Sequence, residues 1–192
     1  GVPGTVGGAV VGNAGAYGGE IADVLSSVRW LRADGQIERA TAQDLAYEYR
    51  NSVLKRSPNC GVDWIVLDVE FELKPEDPQV LAEYIAGITQ KRRERHPHGW
   101  SAGSVFKRTV QYPAGFLIEQ AGLKGTRVGK AVVSGQHANY IINEGGATAQ
   151  DVLTLLRLVQ ARVAEQFGEQ LDPEIQLVGD WPDKDRGEVQ NG

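Results

Sequence analysis

The sequence predicts an α+β chain in two parts, and three observations predict it. Residues 24–32 and 37–40 read as strands joined by a turn at Asp34-Gly35, followed by a third strand over 65–73 that alternates apolar and acidic residues. Two long segments, 78–95 and 149–167, carry apolar residues at helical spacing. Between them His96-Pro97-His98-Gly99 breaks the chain, which sets one part at 1–95, a second at 96–180 and a mobile polar tail at 181–192.

Composition narrows the partners. The formal net charge of −5 argues against a general nucleic-acid binder, so any anionic ligand needs a local basic cluster. Cys60 is the only cysteine, which excludes an intramolecular disulfide, and no apolar run approaches the roughly 18 residues of a membrane span. A reducing cytoplasm is the expected compartment. Methionine is absent and Gly1-Val2-Pro3-Gly4 is not a signal peptide, so a natural start upstream of Gly1 is expected.

The first 19 residues hold eight glycines, with Asn13 as the one strongly polar side chain. Such a run is either a close-packed structural loop or a backbone that presses its N–H groups against a flat or phosphorylated ligand in nest-like turns. It matches neither the dinucleotide fingerprint nor the P-loop. Thr41 reads as the cap of a short helix leading into Tyr47-Glu48-Tyr49-Arg50-Asn51-Ser52, where Arg50 is either an anion clamp stiffened by aromatics or a surface ion pair. In the strand 65–73, positions 65, 67, 69, 71 and 73 form the apolar side, and Asp68, Glu70 and Glu72 the wet one. Asp77-Pro78 starts a helix with Val80, Leu81, Tyr84, Ile85 and Ile88 on one face and basic residues in its last turn, where they oppose the macrodipole. His96 and His98 lack neighbours at ligand spacing, so no metal site is expected.

In the second part, Ser101-Ala102-Gly103-Ser104-Val105-Phe106-Lys107 is either a tight turn entering a strand at Val105 or a reaction floor on which Ser104 donates a proton or binds phosphate. Lys107-Arg108 ahead of a helix over 114–121, ended by Gly122, reads as a pyrophosphate cradle. Strands over 131–134 and 140–143 flank His137. Thr148-Ala149-Gln150-Asp151 caps a helix with Val152, Leu155, Leu156, Val159 and Val163 as core, ended by Gly168, and Leu171-Asp172-Pro173-Glu174-Ile175 leads into a last strand over 175–178.

Seven collinear motifs now add up: Gly1 to Ala9, Asn13-Ala14-Gly15-Ala16-Tyr17-Gly18, Tyr49-Arg50-Asn51-Ser52, Ser101 to Lys107, Ala121-Gly122-Leu123-Lys124-Gly125, His137-Ala138-Asn139 and Pro173-Glu174-Ile175. Together they resemble the UDP-N-acetylenolpyruvoylglucosamine reductase family of bacterial cell-wall synthesis, in its shorter form without a substrate-capping insertion. The resemblance implies that residues 1–95 are the second lobe of an FAD-binding domain of the vanillyl-alcohol-oxidase type, whose earlier flavin segment lies upstream, and that residues 96–180 are a small α+β substrate domain. It implies an NADPH-dependent flavoenzyme, a monomer, that reduces the enolpyruvyl ether of UDP-N-acetylenolpyruvoylglucosamine to UDP-N-acetylmuramate. Arg50 and Glu174 match its enolate-stabilising pair and Ser104 its proton donor. Val2, Pro3, Gly4, Thr5, Gly7, Gly8, Asn13, Gly15 and Ala16 match its FAD contacts, and Tyr17, Lys107, Arg108 and His137 its substrate contacts. Arg108-Thr109 departs from the family's Asn-Pro, and Gln176 from a common arginine. The alternative reading is a catalytically incomplete nucleotide-sugar binding module.

Overall fold

The structure is a computed structural model that describes residues 4–57 and 63–181. It divides into two units, Gly1–Thr89 and Gln90–Gly192. Val2, Pro3, Cys60 and the tail beyond Trp181 lie outside the described residues.

The first unit starts with a helix where a loop, either close-packed or of nest-like turns, was expected. Thr5 is extended, and its hydroxyl accepts the Gly8 N–H at 3.1 Å, which caps α1 (Val6–Val11). The glycines serve packing: a Cβ on Gly7 would lie 3.4 Å from Val66, and Val10 is fully buried. A two-residue hairpin follows, β1 (Gly15–Ala16) with β2 (Gly19–Glu20), closed by Tyr17 and Gly18 at φ 55° and 88°, the primed-turn conformation that matches strand twist. β3 (Leu25–Arg32) and β4 (Ile37–Thr41) form the expected antiparallel hairpin. Thr41 ends β4 and caps no helix, because its N–H and hydroxyl both bond Asp44 Oδ2 at 2.8 Å to make a turn. Ser52 caps the short α2 (Val53–Arg56). β5 (Trp64–Phe71) runs antiparallel to the other edge of β3, giving the order β4-β3-β5.

The expected apolar side of β5 is split. Register shifts at Leu25/Ser27 and Arg29/Trp30 change the two-residue phase, so Trp64, Val66 and Val69 pack against the core while Ile65, Leu67 and Phe71 are exposed. That core is Val10, Leu25, Val28, Trp30, Ala40, Leu45 and Leu54. Arg29 pairs with Asp68, and Arg39 with Glu70 at 2.6 Å, across the exposed side of the sheet. α3 (Pro78–Arg95) contains the division between the units and buries none of its residues.

In the second unit β6 (Trp100–Ser104) starts five residues before the expected strand entry at Val105. α4 (Ala114–Gln120), β7 (Arg127–Val128), β8 (Ala131–Val133) and β9 (Tyr140–Asn143) follow, and the strands form one antiparallel sheet in the order β6-β9-β8-β7. α5 (Ala149–Phe167) has a full capping box between Thr148 and Asp151 and ends at Gly168 with φ 70°. It buries Leu155, Leu156, Val159 and Val163 in a core shared with Val105, Phe106, Leu117, Ile118, Val133 and Leu171, and buries Leu153 as well. The expected strand over 175–178 does not form; Pro173 instead makes an isolated antiparallel bridge with Phe106.

Candidate functional site

Two side-chain assemblies collect the sequence-predicted residues, one in each unit. In the first, Asn13 is completely buried at φ 44°, with its amide satisfied on both sides: Nδ2 donates to Glu48 O at 3.1 Å and Oδ1 accepts from Ala22 N at 3.0 Å. Arg50, also in the left-handed region at φ 57°, donates to Asn13 O at 3.4 Å and Gly15 O at 2.5 Å, and its guanidinium lies 4.9 Å from the Tyr49 ring centroid. Gly15 must be glycine for this, since a Cβ would stand 2.8 Å from Glu20 Cβ and 3.1 Å from Arg50 Nη1. Lys55 donates to Arg50 O at 2.9 Å, and the Ser52 hydroxyl to Val11 O at 2.6 Å. Strained φ values at Asn13 and Arg50, each costing on the order of 1–3 kcal/mol, are maintained by this network.

The residues assigned to FAD fare differently. Thr5 and Gly8 close a helix cap, Gly7 packs on Val66, and the Asn13 amide is spent inside the chain. Gly4 and Ala16 are exposed, and Val2 and Pro3 lie outside the described residues.

In the second unit, residues far apart in sequence meet at one junction of three segments. The backbone of Val105 donates to Asn139 O at 2.9 Å and accepts from Glu174 N at 2.8 Å, and Lys107 N donates to Asp172 O at 2.8 Å. Ser104 stands opposite Tyr140 in register, after a bulge that contains Gly103 at φ 82°. Ser104, Glu174 and Lys107 are therefore brought to neighbouring positions by main-chain pairing. Arg108 is exposed beside them, five residues ahead of Pro113, the N-cap of α4. Lys107 N is engaged by Asp172 O, and α4 starts only after Pro113.

Asn139 holds the junction closed: its Oδ1 accepts Phe106 N at 3.0 Å and its Nδ2 donates to Phe106 O at 2.8 Å, fully buried. Two residues earlier, His137 is half-buried, and its Nδ1 accepts the Asn139 N–H at 3.2 Å. Burial pulls its pKa below the ordinary 6.5 and Lys124 pulls the same way, while its own backbone bond and Glu119 push back. Lys124 itself pairs with Glu119 at 2.5 Å. Sequence reasoning placed Lys124 and Asn139 inside motifs but gave them no role; buried asparagine beside a candidate ligand residue is the signal that could have found the second. Among the described residues there is no cluster of three or more metal-ligating side chains, and no helix long and apolar enough to cross a membrane.

Residues 94–178 match the family model of "UDP-N-acetylenolpyruvoylglucosamine reductase, C-terminal domain". The chain is 47% identical to the UDP-N-acetylenolpyruvoylglucosamine reductase of Agathobacter rectalis over 94% of its own length and 56% of that protein's. It is 48% identical to the one from Chloroflexus aggregans over 93% and 60%. The crystal structure of the Thermus caldophilus reductase superposes with a TM-score of 0.79 at 37% identity, covering 95% of this chain and 62% of that one. The chain thus spans little more than half the length of the curated relatives it matches.

These matches correct two expectations. The domain they identify is the family's C-terminal, substrate-side domain and not part of a flavin-binding domain of the vanillyl-alcohol-oxidase type. With the family's C-terminal domain matched and 54–60% of the relatives' length covered, the matches do not carry FAD- and NADPH-dependent oxidoreductase activity over to this chain. What the motifs, the matched domain and the superposition agree on is kinship: the chain belongs to the UDP-N-acetylenolpyruvoylglucosamine reductase family.

Proposed function

We propose that this chain is a catalytically incomplete nucleotide-sugar binding module that takes the UDP-linked sugar of UDP-N-acetylenolpyruvoylglucosamine. The observation that carries the reading is the junction of residues 104–107, 139 and 172–174, which puts a hydroxyl, a carboxyl and a cation at neighbouring positions in a chain whose net charge is −5. An anionic ligand needs local positive charge, which Lys107 and the adjoining Arg108 supply. In this reading Lys107, Arg108 and His137 take the diphosphate and uridine, and Ser104 and Glu174 stand beside the sugar's substituent. Lys and Arg suit the diphosphate, since charge-assisted hydrogen bonds are roughly twice as strong as neutral ones. Residues 96–180 act as the binding domain.

Calorimetric titration of the purified chain with UDP-N-acetylglucosamine tests this. Saturable binding by a colourless protein is expected, weakened about tenfold or more by Lys107→Ala and by Arg108→Ala, the loss of a hydrogen bond to a charged group. Absence of binding at millimolar ligand overturns the proposal. So does a chain that purifies yellow with stoichiometric flavin.

A further inference from the structure

The ring of His137 is enclosed on several sides. His96 stacks on it with centroids 5.7 Å apart and planes at 18°, and Tyr140 meets its edge at 5.0 Å and 66°. Gly115 leaves just enough room, since a Cβ there would stand 3.2 Å from the ring's Cε1. With Nδ1 accepting from Asn139 N, the neutral ring carries its proton on Nε2, so Nε2–H is the donor left for a ligand. His96 is itself fixed, because its Nδ1 lies 2.6 Å from the Tyr140 hydroxyl. The same Tyr140 faces Ser104 across the β6–β9 pair. Gln136 secures the adjoining chain by donating to Glu94 O at 2.8 Å.

We propose that His96 is a positioning residue: through the Tyr140 hydroxyl and by ring stacking it holds His137 with Nε2–H directed at an anionic ligand. The inference rests on the nucleotide-sugar reading above for the ligand, though not for the geometry. The charges facing the pair support a neutral state. His96 is depressed first by burial, then by Arg92 on α3 and by His137 itself. His137 meets Lys124 and Glu119 from the α4 side. Two stacked rings do not both take a proton cheaply, so the first proton bound by one lowers the affinity of the other.

The test uses the whole chain with two variants. His96→Ala removes stack and hydrogen bond; His96→Phe keeps the stack and loses Nδ1. Long-range nitrogen–proton correlation spectra read the tautomer and titration midpoint of His137 directly. In the unmodified protein the Nε2–H tautomer and a midpoint below 6.5 are expected. In His96→Ala the midpoint is expected to rise and the tautomers to mix, with His96→Phe between the two. Affinity for UDP-N-acetylglucosamine at pH 7.5 is expected to fall about two- to tenfold in His96→Ala, the loss of one hydrogen bond's worth, and its pH profile to move with the His137 midpoint. An unchanged tautomer and midpoint in His96→Ala overturn the proposal. If no form binds the UDP-sugar, the functional reading fails while the spectra still decide the positioning.

Discussion

Two helices of nearly equal length, α3 and α5, read alike in the sequence and behave differently in the fold. Each has a cap, an apolar stripe and four or more turns. α5 buries Leu153, Leu155, Leu156, Val159 and Val163, of which Leu155, Leu156 and Val163 have no accessible surface to within 1%. α3 buries nothing, and Val80, Leu81, Tyr84 and Ile85 stay 43–59% exposed. An apolar stripe states that a helix has a preferred side. Whether anything covers that side depends on elements far away in the chain, and helical stability in proteins comes mostly from that cover.

The largest effect should therefore come from α5. Leu156→Ala removes a fully buried side chain packed among Leu117, Val133 and Val159, and is expected to cost ~2–5 kcal/mol, read as a fall in the urea midpoint of the second unit's unfolding. A cost under about 1 kcal/mol would mean that α5 is no better covered than α3, and the contrast would collapse.

The same contrast shows what the sequence made legible. Local signals survived well: the Asp34-Gly35 hairpin, the Thr148–Asp151 capping box and the Gly168 stop are all in place, because each is decided within four residues. Features that depend on partners did not. The β5 alternation lost its phase to two bulges in its pairing with β3, and residues 175–178 found no strand partner. At the junction, the motifs named the right segments, 101–107, 137–139 and 173–175, yet their meeting through Val105 and Asn139 is a property of pairing that spacing alone does not encode. The glycine-rich opening was the least legible stretch, since glycine serves close packing as readily as ligand approach, and within it Gly7 packs against Val66.

A middle-sized effect should separate the two caps. In α5, Thr148→Ala removes the acceptor of Asp151 N at 3.1 Å in a reciprocal box, and about 1 kcal/mol of the second unit's stability should go with it. In α3, Asp77→Ala removes the acceptor of Gln79 N at 2.7 Å, yet no buried side chain depends on that turn. Its first turn should fray, seen as faster amide exchange over 79–82, with the unfolding midpoint unmoved. Equal losses from both caps would show that α3 is coupled to a folded core as tightly as α5.

The smallest effect is expected at Ile85, which is 58% exposed on the apolar face of α3. Replacing it by serine removes a branched side chain that covers little surface, so its stability change should stay within about 0.5 kcal/mol, as for surface sites generally. Exchange rates should agree: α3 amides should open well below the free energy of global unfolding, and α5 amides close to it. A loss above 2 kcal/mol at Ile85, with slow exchange along 80–88, would mean that something covers this face in solution. The apolar stripe would then mean the same in both helices, and the cover would belong to a surface beyond those that bury α5.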